Sequence, residues 1–181
     1  MVRVPYLQRH DLPEDLQHYY DTISKKRDFF PRPFSVLLHQ PEAATRVAQL
    51  GSYVRFESSL TDQIREIIIL TTAREMNSVY EFTHHVHIAK DFGVSDEIIE
   101  TIRMGTTPKG LTAEQAVFVN FTQELFRSGE VSDDLYQSLE NLVGKEGVVD
   151  VGLTTTYYRL LASLMNIFEV GLEPGQEPLL P

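Results

Sequence analysis

The sequence predicts an all-α protein, a bundle of helices without a sheet. Gly and Pro cut the chain into helix-length segments, and apolar residues recur within them at three- and four-residue spacing. No stretch sustains the period-two alternation of a half-buried strand. With 181 residues, 42% of them apolar, the chain is long enough to bury a core and is read as one domain, 1–181.

The first helix follows Pro13 and is expected to run to about Arg27, with Leu16, Tyr19, Tyr20 and Ile23 on one face. Pro31 and Pro33 then force a break, because each disfavours helix at the residue before it. A short turn from Phe34 to His39 leads to Pro41, which suits a helix's first turn, and to a helix ending near Phe56. Thr61 and Asp62 open the next helix, to about Met76. Another spans about Ser78 to Asp91 and stops at Phe92-Gly93. Ser95, followed by Asp96 and Glu97, starts a short helix to Met104. Thr112 with Gln115 fits a capping box for a helix to about Arg127. C-terminal helices occupy 132–170, one opening at Ser132 and a long one running from about Gly147 to Val170. The three prolines after Glu173 make 171–181 an extended tail.

Charge and composition remove several function classes. Sixteen Lys and Arg against 26 Asp and Glu leave a net charge of −10 with no basic cluster, so neither nucleic acid nor an anionic membrane is an expected partner. No apolar run approaches the ~20 residues of a membrane helix, and Met1 to Pro13 is too charged for a signal peptide. These features predict a cytoplasmic protein. With no cysteine in the chain, disulfides, thiolate metal sites and cysteine nucleophiles are all excluded.

The chemistry concentrates in two segments. On a wheel at about 100° per residue, Ile64, Ile67, Ile68, Ile69 and Leu70 fall nearly all round their helix, which is therefore expected to be buried. Glu66 lies in its middle, where a carboxylate is costly to ionise unless something donates to it. It is either a structural acid paired with Arg65, Arg74 or Arg103, or a catalytic one. On the next helix Ser78, Glu81 and His85 fall within about 60° of one another and form one polar stripe. That stripe borders the apolar arc of Phe82, Val86, Ala89 and Phe92. His85 points inward, His84 lies at the rim and His87 falls on the opposite side. The two helices are expected to meet across a small polar cavity with both carboxylates facing it.

Glu81-x-x-His84 has the spacing of carboxylate-bridged di-iron bundles, but those need a second such pair, which the sequence lacks. Adjacent histidines on a helix point about 100° apart and rarely share an ion, so no metal is expected.

Arg65-Glu66-Ile67-Ile68-Ile69-Leu70, then Asn77-Ser78-x-Tyr80-Glu81-Phe82-x-His84-His85, with Ala89, Gly93 and Ile98-Ile99, resembles the carboxymuconolactone decarboxylase family, which includes the AhpD-like alkylhydroperoxidases. The resemblance makes 33–126 the family core, 1–32 an N-terminal helical extension, and Tyr157 to Asn166 a looser echo. It implies an AhpD-like helical bundle assembled as a trimer or hexamer. Glu66 and His85 match the Glu and His of the AhpD-like branch, whereas Ser78 and Glu81 stand where that branch has its two cysteines. Glu81 with Phe82 and the histidine pair resembles the decarboxylase-like branch instead.

The resemblance and the residues together lead to a cofactor-independent lyase or decarboxylase acting on a small carboxylated lactone or aromatic ring-cleavage product. Glu66, Glu81 and His85 are its expected acid-base catalysts. Ser78, His84 and Arg74 are the expected substrate contacts. The alternatives are an AhpD-like antioxidant lacking its thiols and a non-catalytic oligomeric binding protein. Tyr19-Tyr20 and Phe29-Phe30, with the Pro-rich tail, offer more apolar surface than one small domain readily covers, which points to self-association.

Overall fold

The computed structural model describes residues 2–25, 30–106 and 109–180, and among these it holds helices, turns and loops with no strand. The fold is all-α, as the periodicity requires. Backbone contacts group the chain into two compact units, Met1–Glu57 with Leu164–Gly171, and Ser58–Ser163 with Leu172–Pro181. The sequence reading treats 1–181 as one domain with an extension ending at 32; the contact grouping carries the first unit on to Glu57.

The first unit opens with two 3-10 turns, Arg9–Asp11 and Glu14–Leu16, followed by α1 (Gln17–Ser24), α2 (Arg32–Leu37) and α3 (Pro41–Phe56). The stretch after Pro13 is thus a 3-10 turn before it becomes α-helix, and the expected helix end at Arg27 lies outside the described residues. Helix α2 replaces the expected turn at Phe34 to His39. Pro33 falls within its first turn, where the missing N–H has no helical partner to lose. Leu12, Ile23, Phe34, Leu38, Ala44 and Ala48 form the unit's core. Tyr20 and Phe30 pack against that core with their rings stacked at 4.0 Å. Tyr20, expected as part of a self-association surface, is partly buried against this core; Phe29 lies outside the described residues.

The second unit contains α4 (Asp62–Glu75), α5 (Val79–Asp91), α6 (Asp96–Met104), α7 (Ala113–Ser128) and most of α8 (Asp133–Phe168). Their starts follow the capping residues. Thr61 Oγ1 accepts from the Ile64 N–H at 3.4 Å and Ser95 Oγ from the Ile98 N–H at 3.3 Å. Thr112 and Gln115 exchange bonds of 3.2 and 3.0 Å as a capping box. The two C-terminal helices expected from the sequence are the arms of α8, which meet at Gly144. Its φ of 68° and ψ of 176° suit glycine and interrupt the helical turn.

Helix α4 is the centre of this unit, packing against α5, α6 and α7. Ile67, Ile68, Ile69 and Leu70 are each 0% exposed. Ile67, Leu70 and Ala73 meet Phe82, Val86 and Ala89 of α5 and Ile98, Ile99 and Ile102 of α6. Ile68 faces Phe118 and Phe121 of α7 and Leu139 and Val151 of α8. Each such side chain contributes about 1.5–3 kcal/mol by leaving water, so α4 is fixed from several directions at once. The turn into α5 is tight: Asn77 takes a left-handed φ of 49°, and the Ser78 N–H donates to the Ala73 carbonyl at 2.8 Å. The tail is non-helical and is tied to α5. Tyr80 Oη donates to Glu173 at 2.9 Å, the Leu179 N–H donates to Thr83 Oγ1 at 3.0 Å, and Leu180 is buried in the α4–α6 core.

Candidate active site

Helices α4 and α5 bring the expected catalytic residues together. His85 Nδ1 lies 2.7 Å from Glu66 Oε2, and His85 Nε2 lies 3.8 Å from Glu81 Oε2. Glu66, Glu81 and His85 are 1%, 3% and 4% exposed. The three side chains meet directly. One imidazole nitrogen is held by a carboxylate from the neighbouring helix. The other faces a carboxylate four residues back on its own helix, as the i, i+4 geometry dictates.

Two further groups frame the imidazole. Tyr158 of α8, itself buried, presents its ring edge-to-face at 5.1 Å between centroids and 89° between planes. Arg65, beside Glu66 on α4, keeps only 7% of its side chain exposed and places Nε 3.9 Å from Glu66 Oε1. Its Nη2 donates to the Asp62 carboxylate, and its Cζ lies 6.0 Å from the centre of the Phe92 ring. The sequence offered three arginines as partners for Glu66, and the structure selects Arg65. Arg103 instead makes two 2.7 Å bonds to Glu100.

The expected substrate contacts separate into two groups. Ser78 starts the stripe on α5 and is 0% exposed, and its Oγ has no hydrogen-bond partner among the described residues. His84 is half-buried, stacked on Tyr80 with 6.1 Å between centroids and edge-on to His85 at 5.6 Å. Arg74 stands apart: its Nε donates to the Arg103 carbonyl at 2.6 Å, which fastens α4 to the end of α6 and commits the guanidinium there. His87 is exposed, on the opposite side of α5, as the wheel requires. Tyr158 was missed in the sequence. The echo of the family at Tyr157 to Asn166 was the only signal, and it gave no reason to aim that ring at His85.

Among the described residues no three His, Asp or Glu side chains are grouped as a metal-ligand set. One cleft of about 480 Å³ runs along α5 and α6 under the tail, walled by Phe82, Val86, Ile99 and Leu179 and rimmed by Lys90 and Arg103. A second, of about 650 Å³, lies between α7 and the first arm of α8. Glu66, Glu81 and His85 line neither.

The segment carrying both acids and the imidazole, from α3 to α7, is matched as a unit by one family model, that of the carboxymuconolactone decarboxylase family. The match to that family model covers residues 41–123. Solved structures extend the likeness in fold beyond that segment. An uncharacterized peroxidase-related protein of Ralstonia eutropha JMP134, described as an alkylhydroperoxidase AhpD core, superposes with a TM-score of 0.80 at 18% identity, covering 98% of this chain and 97% of that one. A peroxidase-related protein of Silicibacter sp. TM1040 gives 0.78 at 16% identity, over 97% and 93%. The debrominase Bmp8 in its apo form gives 0.75 at 15% identity, over 93% and 90%. No curated protein matches the chain by sequence. At these identities the likenesses establish an AhpD-like fold.

Proposed function

We propose that this protein is a cofactor-independent lyase, of decarboxylase type, acting on a small carboxylated lactone or aromatic ring-cleavage product. The observation that carries the reading is the buried line Glu66–His85–Glu81, with its 2.7 Å bond at one end and its 3.8 Å approach at the other. A decarboxylation breaks the bond to the carboxylate carbon and sends its electron pair into the neighbouring lactone carbonyl. A proton must then reach the carbon left behind. Two carboxylates this close to one buried ring do not both carry charge easily. Glu66, which has Arg65 beside it, is the ionised member that orients His85. Glu81 is the carboxylic acid that delivers the proton, and His85 Nε2 returns one to it from water. Ser78 Oγ, buried on the same stripe and without a partner among the described residues, is available to donate to the substrate, and His84 at the rim takes the substrate's carboxylate.

Supporting this reading over a thiol-dependent peroxidase is the identity of the residues at the two cysteine positions. Ser78 and Glu81 cannot form a disulfide. We further propose that the protein is a cytoplasmic homo-oligomer with a small-molecule substrate and no nucleic-acid or membrane partner. The test is mass-spectrometric turnover of a panel of carboxylated lactones and ring-cleavage acids. Release of CO₂ from a panel member by the unaltered protein, lost in Glu66→Gln and His85→Ala, is the expected result. No turnover across the panel, or turnover unchanged in both variants, refutes the assignment.

A further inference from the structure

Arg65 is a buried cation whose only part in the proposed chemistry is to stand beside Glu66. Its side chain is 7% exposed although it sits on the helix where Ile67 to Leu70 are wholly buried. Burying a guanidinium costs several kcal/mol unless anions compensate it. Here two carboxylates of the same helix do so, Asp62 as a direct hydrogen-bond acceptor and Glu66 with Oε1 3.9 Å from Nε. Arg65 Nε itself has no hydrogen-bond partner among the described residues. Its relation to Glu66 is therefore one of charge rather than of a shared proton.

That charge has a consequence one residue further on. The other oxygen of Glu66, Oε2, faces His85 Nδ1 at 2.7 Å. Such a contact needs one proton between the two atoms, and with a neutral imidazole it can be made in two ways. An ionised Glu66 accepts from Nδ1–H, and neutral His85 then has a bare Nε2. A protonated Glu66 donates to Nδ1, and neutral His85 then carries its hydrogen on Nε2. The two arrangements hold the same heavy atoms in the same places but present opposite faces to Glu81, an acceptor in the first and a donor in the second. A positive charge about 4 Å from Glu66 favours the first.

We infer that Arg65 is a positioning residue that fixes, through Glu66, which nitrogen of His85 carries the proton. Asp62 belongs to the same device, because it holds the guanidinium in place. The inference rests on reading His85 as the acid-base group, and it supplies the reason that Nε2 is free to take a proton.

The experiment is nitrogen NMR of the full chain with ¹⁵N-labelled histidine, recorded without substrate at a pH where the imidazoles are neutral. His85 is assigned by its loss in His85→Gln. In the unaltered protein His85 should show a protonated Nδ1 and a bare Nε2. In Arg65→Met the ratio of the two tautomers should move at least tenfold toward Nε2–H, and Arg65→Lys, which restores a cation, should move it back. Should Arg65→Met fail to fold, Arg65→Gln, which keeps a hydrogen-bond donor for Asp62 but carries no charge, should shift the ratio in the same direction. A His85 with Nε2–H in the unaltered protein, or one whose tautomer is the same in every folded variant, overturns the inference. Because the tautomer is read without turnover, a silent lactone panel would count against the lyase assignment alone.

Discussion

Replacing Glu66 separates the contributions of shape, hydrogen bonding and charge at the centre of the second unit. The side chain is 1% exposed, has Oε2 2.7 Å from His85 Nδ1, and faces Arg65 Nε at 3.9 Å. In Glu66→Gln the amide keeps the volume and can turn its oxygen to His85 Nδ1–H. A charge-assisted bond of about 1.5–3 kcal/mol then becomes a neutral one of about 0.5–1.5 kcal/mol. Arg65 retains Asp62, so the expected loss is about 1–2 kcal/mol. Glu66→Ala removes the acceptor altogether, strands the imidazole N–H, leaves one anion fewer beside a buried cation, and opens a void. Breaking a buried ion pair in this way costs about 3–5 kcal/mol. The assay is equilibrium urea unfolding at neutral pH, followed by far-ultraviolet circular dichroism, with slopes compared so that midpoints convert to free energies. Glu66→Ala should fall well below Glu66→Gln, and the difference should shrink when His85→Ala is combined with each, since the stranded donor is then absent. If Glu66→Ala unfolds within about 0.5 kcal/mol of the unaltered protein, the carboxylate is not holding a buried network, and the geometric argument fails.

On any substrate that is turned over, Glu81→Gln should lower kcat by about 10²-fold or more, whereas His87→Gln and His87→Ala, on the exposed side of α5, should leave it within about twofold. Steady-state assays decide between them, and equal effects at both positions would contradict the wheel. With tert-butyl hydroperoxide and a dithiol donor the protein should consume peroxide no faster than buffer, because Ser78 and Glu81 occupy the thiol positions; saturable turnover in metal-free protein would overturn that. Light scattering at micromolar concentration should give at least a trimer. Val149 and Leu160, 60% and 41% exposed on the second arm of α8, are the apolar residues to challenge: Val149→Glu with Leu160→Glu should lower the mass. A 20.7 kDa species alone in the unaltered protein would end the oligomer proposal.

Local rules in the sequence were enough to determine the helices of the second unit and which faces they bury. Thr61, Ser95 and Thr112 cap the starts that their side chains prefer, and the run from Ile64 to Leu70 has no polar face left to offer water. The stripe of Ser78, Glu81 and His85 follows from 3.6 residues per turn, and the same arithmetic sends His87 outward. What the wheel cannot contain is the distance between helices. Arg65, Arg74 and Arg103 were equivalent candidates for Glu66 in one dimension. Packing of α4 against α6 spent Arg74 on a carbonyl, the i, i+3 geometry gave Arg103 to Glu100, and only Arg65 was left inside. Tyr158 reaches His85 from more than seventy positions away, and Tyr20 stacks on Phe30 ten residues further along the chain, because burial rewards rings for meeting wherever the chain brings them within reach. Periodicity along one helix is a local property that the sequence carries in full. Which carboxylate meets which nitrogen depends on how several buried faces fill space together, and that was decided by the tertiary structure.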